Sequence, residues 1–356
     1  MAFISNLPTA DLDVDDCSID SADVALSEML GLSMNEMNGI QELSNEGEDN
    51  VLAALHEGPM KKCSLPGFSV EDIQLIVRNK SLRQIYTDES VCILPGELSL
   101  PSSLMRRITD ELVYGTCKYP SNRTYESISI QKSGEITMHR KLTRLEDFVN
   151  NHDEWKELCH GYLAKCVSSI IGEEMVLYKE KLNFKPPGGS GFAPHLDSPS
   201  LRIAFGDSGP RTFVTVMLAI DNMTEQNGCL RVSKKNWSEE NHVEVVEPEK
   251  DGNPDAGGRA GAIPLEVADK YTFEPIICKG GDIAIFNGWC PHRSSFNLTP
   301  FSRRAVFLTY NPAREGDYHD MYYQKMKQMR DDWKNKAMLN DLDHQAEMKA
   351  LDTIPR

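Results

Sequence analysis

Two histidines and one aspartate of this chain have the types and spacing of a metal-ligand set. His195 and Asp197 are separated only by Leu196, and His292 follows nearly a hundred residues later. In a strand, residues i and i+2 project to the same side, so His195 and Asp197 can reach one metal while Leu196 turns into the opposite layer. Two imidazoles and one carboxylate hold ferrous iron on one face of an octahedron and leave the opposite positions for a co-substrate and dioxygen. We therefore expect an iron centre in which His195, Asp197 and His292 are both the ligands and the catalytic residues.

The sequence around these ligands predicts strands that end where the ligands begin. Residues 182–185 alternate in the manner of a strand, and a Pro-Gly loop over 186–191 separates them from His195. An apolar strand is predicted over 281–287, shortly before His292. The ends of strands are the usual place for chemistry on a β scaffold.

Two adjacent arginines, Arg303 and Arg304, begin a further predicted strand over 303–310. The two-residue period of a strand places them on opposite faces, so only one can point into the fold. A buried guanidinium needs an anion to offset its desolvation, and it binds a carboxylate best as a planar, two-pronged donor. A dicarboxylate that chelates iron at one end and meets such an arginine at the other satisfies both groups. 2-Oxoglutarate is a molecule of this kind.

Five further polar residues are candidates for binding the co-substrate or the substrate. Lys181, Asn183 and Lys185 share one strand face next to the predicted site. On that face we assign Lys185 to the co-substrate, and Lys181 and Asn183 to an anionic substrate; a solvated sheet edge is the alternative. Arg202, shortly after Asp197, is a second candidate for the substrate anion. Thr215 is a candidate for hydrogen bonding within the co-substrate pocket.

These motifs resemble the phytanoyl-CoA dioxygenase family of Fe(II)/2-oxoglutarate-dependent oxygenases. The family pattern runs H-x-D, then a distal H, an N five residues later and an R eleven residues later. The corresponding residues here are His195, Asp197, His292, Asn297 and Arg303. The resemblance implies that Arg303 binds the far carboxylate of 2-oxoglutarate and that Asn297 hydrogen-bonds within the same pocket.

The resemblance covers roughly residues 82 to 325, and several intervening blocks agree with the family in order. These blocks are 185–189, 219–224 and 227–230. Residues 309–318 are similar to the 2-aminoethylphosphonate-type hydroxylase branch of the family. One departure follows residue 230, where the family usually continues to a Pro-Gly-Ser-His turn and this chain has Ser-Lys-Lys-Asn-Trp over 233–237.

The resemblance implies an enzyme that uses Fe(2+), 2-oxoglutarate and O2. It implies hydroxylation of a small polar or anionic molecule, such as an aminophosphonate, with release of succinate and CO2. Because the carboxylate of Asp197 is retained where related halogenases have a small residue, hydroxylation is expected. The alternatives are hydroxylation of an acyl-CoA or other specialised metabolite, and a non-catalytic jelly roll that binds a metal or ligand.

The order of sequence patterns predicts a mainly β protein with an added helical layer. Apolar residues at helical intervals predict helices over 102–114 and 144–171, whereas 86–94 favours a strand. From Met175 onward, short strands such as 212–220 alternate with Gly, Pro and Asn turns. We therefore expect an α+β fold, a double-stranded β-helix (cupin-like jelly roll) with N-terminal helices packed on one sheet.

The resemblance implies an oxygenase domain over 82–325, and composition indicates two appendages beside it. Residues 1–75 are predicted to be an acidic, partly disordered extension, because residues 1–60 hold thirteen Asp or Glu and no Lys or Arg. This extension is a candidate for contact with another protein. Residues 326–356 are predicted to be a charged helix, and 238–272 an insertion of a length typical of lids and substrate walls.

Charge and cysteine content argue against several classes of protein. The formal charge is −16 and no basic surface is concentrated in the sequence, which argues against a nucleic-acid binder. No apolar run reaches the length of a membrane span. Nine cysteines occur without a C-x-x-C pair and the sequence starts without a basic leader, so we expect a cytoplasmic protein with reduced thiols. Cys290, two residues before His292, is expected to be a buried thiol and not a ligand.

Overall fold

The computed structural model describes residues 80–115, 121–132, 135–246 and 260–332. Its helices are α1 Lys80–Glu89, α2 Ser102–Tyr114, α3 Asp153–Glu157, α4 Ala164–Ile171, α5 Asp197–Leu201, α6 Leu265–Ala268 and α7 over residues 319–332. Its strands are β1 Val91–Ile93, β2 Asn122–Lys132, β3 Glu135–Glu146, β4 Met175–Lys185, β5 Phe192–His195, β6 Val214–Ala219, β7 Leu230–Val232, β8 Glu274–Pro275, β9 Ile283–Asn287, β10 His292–Ser294 and β11 Arg303–Pro312. A π-helical turn, Leu158–Leu163, joins α3 to α4.

Eight consecutive strands, β4 to β11, are divided between two antiparallel sheets. Strands β4, β6, β9 and β11 belong to a seven-stranded sheet with the order β1-β9-β6-β11-β4-β3-β2. Strands β5, β7, β8 and β10 form a four-stranded sheet with the order β5-β10-β7-β8. Two four-stranded groups that exchange the chain in this way form a jelly roll, which confirms the predicted double-stranded β-helix. Strands β1, β2 and β3 extend the larger sheet at its two ends.

Strand β6 shows how the helical layer and the two sheets share one scaffold. All six of its residues are buried, because both of its faces are covered. Val216 and Leu218 pack in one apolar cluster with Met105 of α2 and Trp155 of α3, whereas Met217 belongs to a second cluster shared with the four-stranded sheet. The predicted packing of helices on one sheet is therefore confirmed. The ligand-bearing cavity lies on the opposite face of that sheet.

Two secondary-structure predictions for the N-terminal half were wrong. A strand was predicted over 86–94, but helix α1 continues to Glu89, and within this range only the three residues of β1 form a strand. In the predicted helix over 144–171, the first residues belong to β3 and the helix begins at Asp153. The apolar Leu145 fits a helical interval, but in the structure it lies opposite Leu182 in the pairing of β3 with β4. Its side chain is buried in the strand as it would have been in a helix.

The long hairpin of β2 and β3 was absent from the sequence prediction. It pairs Asn122 with Glu146 at one end and Lys132 with Glu135 at the other. Strand β3 pairs with β4 only over residues 144–146, so most of the hairpin extends beyond the jelly roll. An alternating stretch on both sides of a Ser-Gly pair was the available signal.

Three predicted segments fall wholly or partly outside the described residues. These are the acidic extension over 1–75, the part of the insertion over 247–259 and the C-terminal residues 333–356. The described part of the C-terminal helix, α7, begins before the predicted boundary at 326. It packs on the domain through Tyr322 and Tyr323, which are both buried.

Candidate metal centre and its cavity

The three predicted ligands come together at the ends of two paired strands. His195 is the last residue of β5 and His292 the first of β10, and the two lie directly opposite each other in the antiparallel register. Nε2 of His195 and Nε2 of His292 lie 3.9 and 3.7 Å from Oδ1 of Asp197. One ligand atom from each residue lies within 4.8 Å of the others, a separation that a single ion can bridge. Within the described residues, no other group of His, Cys, Asp or Glu side chains meets that spacing.

The backbone after His195 differs in one respect from the prediction of a continuous strand. Leu196 is extended and fully buried in the opposite layer, as expected, but Asp197 is already the first residue of helix α5. The segment is anchored by backbone hydrogen bonds from Leu196 N to Gly261 O, 2.9 Å, and from Ser198 N to Gly288 O, 2.9 Å. The Asp197 carboxylate is therefore positioned by a strand on one side and a helix on the other.

Backbone carbonyls determine which nitrogen of each imidazole faces the site. Nδ1 of His195 lies 2.7 Å from Ala193 O, and Nδ1 of His292 lies 2.9 Å from Cys290 O. Because a carbonyl only accepts, each Nδ1 must carry the proton and donate it. Each Nε2 then presents a lone pair toward Asp197, which is the arrangement that a metal requires.

Electrostatics favour the protonation states of a metal-ligand set. Burial, together with the neighbouring His292, lowers the pKa of His195 to about 3, so this imidazole is neutral at physiological pH. Burial raises the pKa of Asp197, but His292, Lys181 and a hydrogen bond from Thr215 outweigh it and leave a pKa of about 2. Two imidazoles and one carboxylate fit a divalent transition metal with oxygen co-ligands, and iron is the usual ion of this set.

Thr215 and Cys290 lie beside the three ligands but do not belong to the ligand set. Oγ1 of Thr215 donates to Oδ2 of Asp197 at 3.0 Å, which leaves Oδ1 directed at the histidines. Thr215 thus contacts a metal ligand in the structure, and its predicted hydrogen bond within the co-substrate pocket stays a prediction. The thiol of Cys290 is fully buried, its pKa is raised by burial, and Sγ lies 3.7 Å from Ser233 O. It is a buried thiol, as expected.

Arg303 points into the jelly roll and Arg304 points away from it. Arg303 is 4% exposed and its Nη2 donates to the carbonyl of Gly228, whereas its Nε is buried without a hydrogen-bond partner. Burial lowers the pKa of Arg303 to about 10, so it remains charged at physiological pH. Arg304 is bound outside by Asp221 and Asp110. A buried guanidinium with an unused donor fits the distal carboxylate of a dicarboxylic acid.

Lys185 lies opposite Arg303 in the register of β4 and β11, and its ammonium group is already engaged. Nζ donates to Gly228 O at 3.2 Å, Ser294 Oγ at 2.9 Å and Ser295 O at 2.6 Å. Burial and the neighbouring Arg303 lower its pKa to about 7. Three acceptors use its three donors, so the ammonium group has no donor left for a further ligand and the predicted contact of Lys185 with the co-substrate stays a prediction.

Asn297 hydrogen-bonds to its own loop and does not line the cavity. Its Nδ2 donates to Lys185 O at 2.8 Å and to Phe301 O at 2.7 Å, while its Oδ1 accepts from Thr299 N at 3.0 Å. All of these partners are protein atoms. In the structure Asn297 therefore fixes the backbone beside Lys185, and its implied contact with the co-substrate stays a prediction.

The two substrate candidates on β4 face the same cavity as the iron ligands. Lys181 and Asn183 both line it, together with His195 and Asp197. Nζ of Lys181 lies 5.5 Å from the ring centre of Phe307, and it makes no hydrogen bond or ion pair in the part of the chain that the structure describes. Burial lowers its pKa to about 8 against the opposite effect of Asp197. The amide oxygen of Asn183 is buried without a hydrogen-bond partner.

Arg202, the remaining candidate for the substrate anion, forms its ion pair outside the cavity. Its guanidinium forms a two-pronged pair with Glu239, with Nη1 2.6 Å from Oε1 and Nη2 2.8 Å from Oε2. It also packs over the ring of Trp289. It lines neither cavity at the centre, so the structure does not bring it together with the other predicted residues.

The cavity also contains residues that sequence reasoning missed. It has a volume of about 310 Å³, and the hairpin of β2 and β3 supplies Glu126, Thr143 and Arg144 to its wall. It shares six lining residues with an adjoining groove of about 1070 Å³ bounded by α5, α7 and the hairpin. The shared residues are Glu126, Arg144, Lys181, Phe192, His195 and Asp197. A prediction that included the hairpin would have found Glu126, Thr143 and Arg144.

The sequence model described as Phytanoyl-CoA dioxygenase matches residues 119–305, which is more than half of the chain. The chain belongs to the phytanoyl-CoA dioxygenase family. The family description and the His-Asp-His set together make the matched domain a dioxygenase domain of the iron and 2-oxoglutarate type. The family assignment made from the motifs is therefore confirmed.

Two curated relatives and one solved structure illustrate the similarity. The chain is 37% identical over 193 residues to a 2-aminoethylphosphonate dioxygenase of the uncultured bacterium HF130_AEPn_1, over 54% of this chain and 67% of that protein. It is 35% identical over 167 residues to a methylphosphonate hydroxylase of Gimesia maris, over 47% of this chain and 56% of that protein. The alignments thus span between about half and two thirds of these relatives. The structure of EctD from S. alaskensis with 2-oxoglutarate and 5-hydroxyectoine is 16% identical, with a TM-score of 0.49 over 67% of this chain and 77% of that one.

Across the described ranges, no helix combines the length and the apolar composition needed to cross a bilayer.

Proposed function

We propose that this protein is an Fe(II)- and 2-oxoglutarate-dependent hydroxylase of a small phosphonate, with 2-aminoethylphosphonate as the representative substrate. The observation that carries the proposal is Lys181, a basic side chain without hydrogen-bond or ion-pair partners in the described structure that faces the cavity of His195, Asp197 and His292. Such a cation next to an oxidising metal favours an anionic substrate. Both curated relatives named above are oxygenases of phosphonates, which supports the same substrate class.

The three ligands would hold the iron, and the rest of the cavity would orient the reactants. When bound, ferrous iron and 2-oxoglutarate together activate O2, so that one oxygen atom enters a C–H bond of the substrate and the other enters succinate as CO2 leaves. The chain contributes two imidazoles oriented through Ala193 O and Cys290 O, and a carboxylate held by Thr215. Because Asp197 occupies its position, the site carries the full ligand set of a hydroxylase.

Arg303 and Lys185 supply the positive end of the co-substrate pocket. The free Nε of Arg303 is available to the distal carboxylate, and the ammonium of Lys185 reinforces the local charge while it holds Gly228 and Ser295 in place. A carboxylate bound here would offset the desolvation of the Arg303 guanidinium. This pair would hold the distal carboxylate of 2-oxoglutarate and so leave its keto acid end for the metal.

Lys181 and Asn183 face the space left for the substrate. The Lys181 ammonium would bind a phosphonate oxygen, and the amide of Asn183 adds a polar group whose oxygen has no hydrogen-bond partner among the described residues. A cavity of about 310 Å³ lies at the small end of the range for ligand pockets, which favours small metabolites.

Hydroxylation of an acyl-CoA is the second candidate, because the adjoining groove of about 1070 Å³ offers room for a longer substrate. A non-catalytic binding module would be expected to lack a ligand or the buried arginine, and His195, Asp197, His292 and Arg303 are all present.

Turnover of purified protein with iron, 2-oxoglutarate and O2 tests the proposal. We expect 2-aminoethylphosphonate to yield a hydroxylated product in step with succinate, and a branched acyl-CoA to leave succinate release at the substrate-free rate. Coupled product from the acyl-CoA alone would select the second candidate. Coupling by neither substrate would reject both.

A further inference from the structure

The hairpin of β2 and β3 brings side chains into the cavity to which the proposed mechanism gives no role. Its register shifts at one point, where Thr124 pairs with Arg144 and Tyr125 pairs with Leu142, leaving Thr143 as the extra residue of a β-bulge. A bulge locally twists a strand and redirects its side chains. Consecutive residues of a regular strand point to opposite faces, yet Thr143 and Arg144 both line the cavity.

Arg144 lies next to the two substrate residues of β4. It is directly opposite Asn183 in the antiparallel pairing of β3 with β4, so their side chains share the cavity face. Lys181 is the next residue of β4 on that face. Within the described parts of the chain, neither Arg144 nor Lys181 makes a hydrogen bond or an ion pair. Asn183 is 6% exposed, and its amide oxygen has no hydrogen-bond partner.

The charge of the filled site leaves Arg144 and Lys181 unbalanced. A divalent ion with Asp197 carries one net positive charge, and Arg303 carries a second. A 2-oxoglutarate dianion neutralises these two. The other charged side chains on the described wall of the cavity are four basic residues, Arg144, Lys181, Lys185 and Arg293, against the one carboxylate of Glu126. The Arg144 and Lys181 cations then face the same partly enclosed space, and an anion between them would offset their mutual repulsion and loss of solvation. A phosphonate dianion has the charge and the three oxygens to contact both.

One carboxylate other than Asp197 lines the described wall of this cavity, and it belongs to Glu126. Glu126 lies on β2, two residues beyond Thr124, the partner of Arg144. The bulge lies between Glu126 and Arg144, because Glu126 pairs with Lys141 on β3, yet both side chains line the cavity. The Glu126 side chain has no ion pair among the described residues. A carboxylate and a guanidinium on the wall of one cavity can each bind one end of a short zwitterion.

We propose that Arg144, together with Lys181, binds the anionic group of the substrate, and that Glu126 binds its ammonium group. The hairpin would then select zwitterionic aminophosphonates over phosphonates that have no amine. This inference rests on the proposed phosphonate hydroxylase function and assigns its substrate specificity to β2 and β3.

The test compares R144Q and E126Q with wild type on 2-aminoethylphosphonate and on ethylphosphonate, which has the same carbon chain without the amine. R144Q is expected to lower kcat/KM for both substrates by roughly 10–100-fold, the loss typical of a charged hydrogen bond, with the KM for 2-oxoglutarate unchanged. E126Q is expected to lower kcat/KM for 2-aminoethylphosphonate by about two- to fivefold and to leave ethylphosphonate unaffected, as for an exposed charge pair.

Matched controls are available in the same fold. R140Q removes an exposed arginine of β3 that stacks on Tyr125, and E266Q removes an exposed glutamate of α6; both are expected to behave as wild type. Thermal melting reports whether each variant folds. If R144Q does not fold, R144K keeps the charge without the planar fork and is expected to lose kcat/KM in the same direction.

The outcomes separate this inference from the proposed function. The inference is overturned if E126Q keeps the wild-type ratio of kcat/KM for 2-aminoethylphosphonate to kcat/KM for ethylphosphonate, or if R144Q keeps the wild-type kcat/KM. In either case the proposed function still holds, provided that the wild type turns over phosphonates. A wild-type protein that hydroxylates neither phosphonate overturns both.

Discussion

At the scale of single residues, the centre depends on side chains that orient the ligands as much as on the ligands themselves. The carbonyls of Ala193 and Cys290 fix the tautomers of His195 and His292, and Thr215 holds one oxygen of Asp197. Partners of this kind are known to influence metal affinity strongly, because they limit rotation of the ligand and set its basicity.

Thr215→Val tests this dependence. The substitution removes the hydroxyl that donates to Oδ2 of Asp197 at 3.0 Å and nearly preserves the shape of the side chain. Affinity for ferrous iron is expected to fall by roughly 10–100-fold, as measured by anaerobic titration. Thr87→Val, an exposed threonine bonded only to its own helix, is the control. Wild-type iron affinity in Thr215→Val would show that the hydrogen bond does not support the ligand.

At the scale of elements, the junction of β5 with α5 positions two of the three ligands. Leu196 is clamped by a backbone hydrogen bond to Gly261, a residue of the predicted insertion. Gly261 has φ +85°, and a Cβ at this position would lie 2.5 Å from Leu196 O. Only glycine meets both requirements without strain.

Gly261→Ala is therefore expected to disturb the ligand segment directly. A positive φ and a backbone clash should cost about 1–3 kcal/mol of stability, measured by urea unfolding, and should weaken iron binding because Asp197 follows Leu196. Gly96→Ala is the control, since its added Cβ would meet nothing within 4 Å and its φ is not in the left-handed region. Unchanged stability and iron affinity in Gly261→Ala would show that Gly261 does not position the segment of Leu196 and Asp197.

The elements around the iron ligands were predictable because their signals are local. Strand β11, the loop after β4 and strand β9 each show a short alternating or apolar run bounded by Gly or Pro. The ligand motif then fixed which strand ends must meet. The predicted set of His195, Asp197, His292 and Arg303 lies around one cavity as a result.

The hairpin and its cavity residues were harder to predict, because their environment is non-local. Leu145 and Trp155 suit a helical interval, and only the pairing of Leu145 with Leu182 in β4 shows that its segment is a strand. Arg144 and Glu126 carry no motif of their own. The bulge that turns Thr143 and Arg144 into the same cavity depends on the register of β2 with β3, which sequence spacing does not report.

At the scale of the whole molecule, helix α7 is fastened to the jelly roll by a buried pair. Nε2 of His319 lies 2.6 Å from Oε2 of Glu180 on β4, and the hydroxyl of Tyr323 donates to Glu180 O at 2.7 Å. The other oxygen of Glu180 accepts from the backbone N–H groups of Phe148 and Val149. One carboxylate thus joins β4, α7 and the segment before α3.

This pair gives folding stability a defined pH dependence. Burial alone would lower the pKa of His319, but the hydrogen bond and charge of Glu180 raise it above its ordinary value. A raised folded-state pKa contributes stability that is complete below the unfolded-state pKa, about 6.5, and is lost as the pH rises through the folded-state value. Wild type should therefore lose stability over that window, and H319Q should show a flatter profile in thermal melts. Parallel profiles of the two proteins would contradict the role of this pair.

The proposed activity of this protein depends on one iron centre with one buried arginine within reach of its co-substrate. Anaerobic titration of the full chain with ferrous iron and then 2-oxoglutarate, followed by visible absorption, measures both together. We predict one iron per chain in the wild type, and a weak charge-transfer band that appears only when 2-oxoglutarate is added. The band should be lost in H292A. In R303M it should require roughly 10–100-fold more 2-oxoglutarate. Iron binding that survives in H292A, or a band indifferent to R303M, would contradict the account.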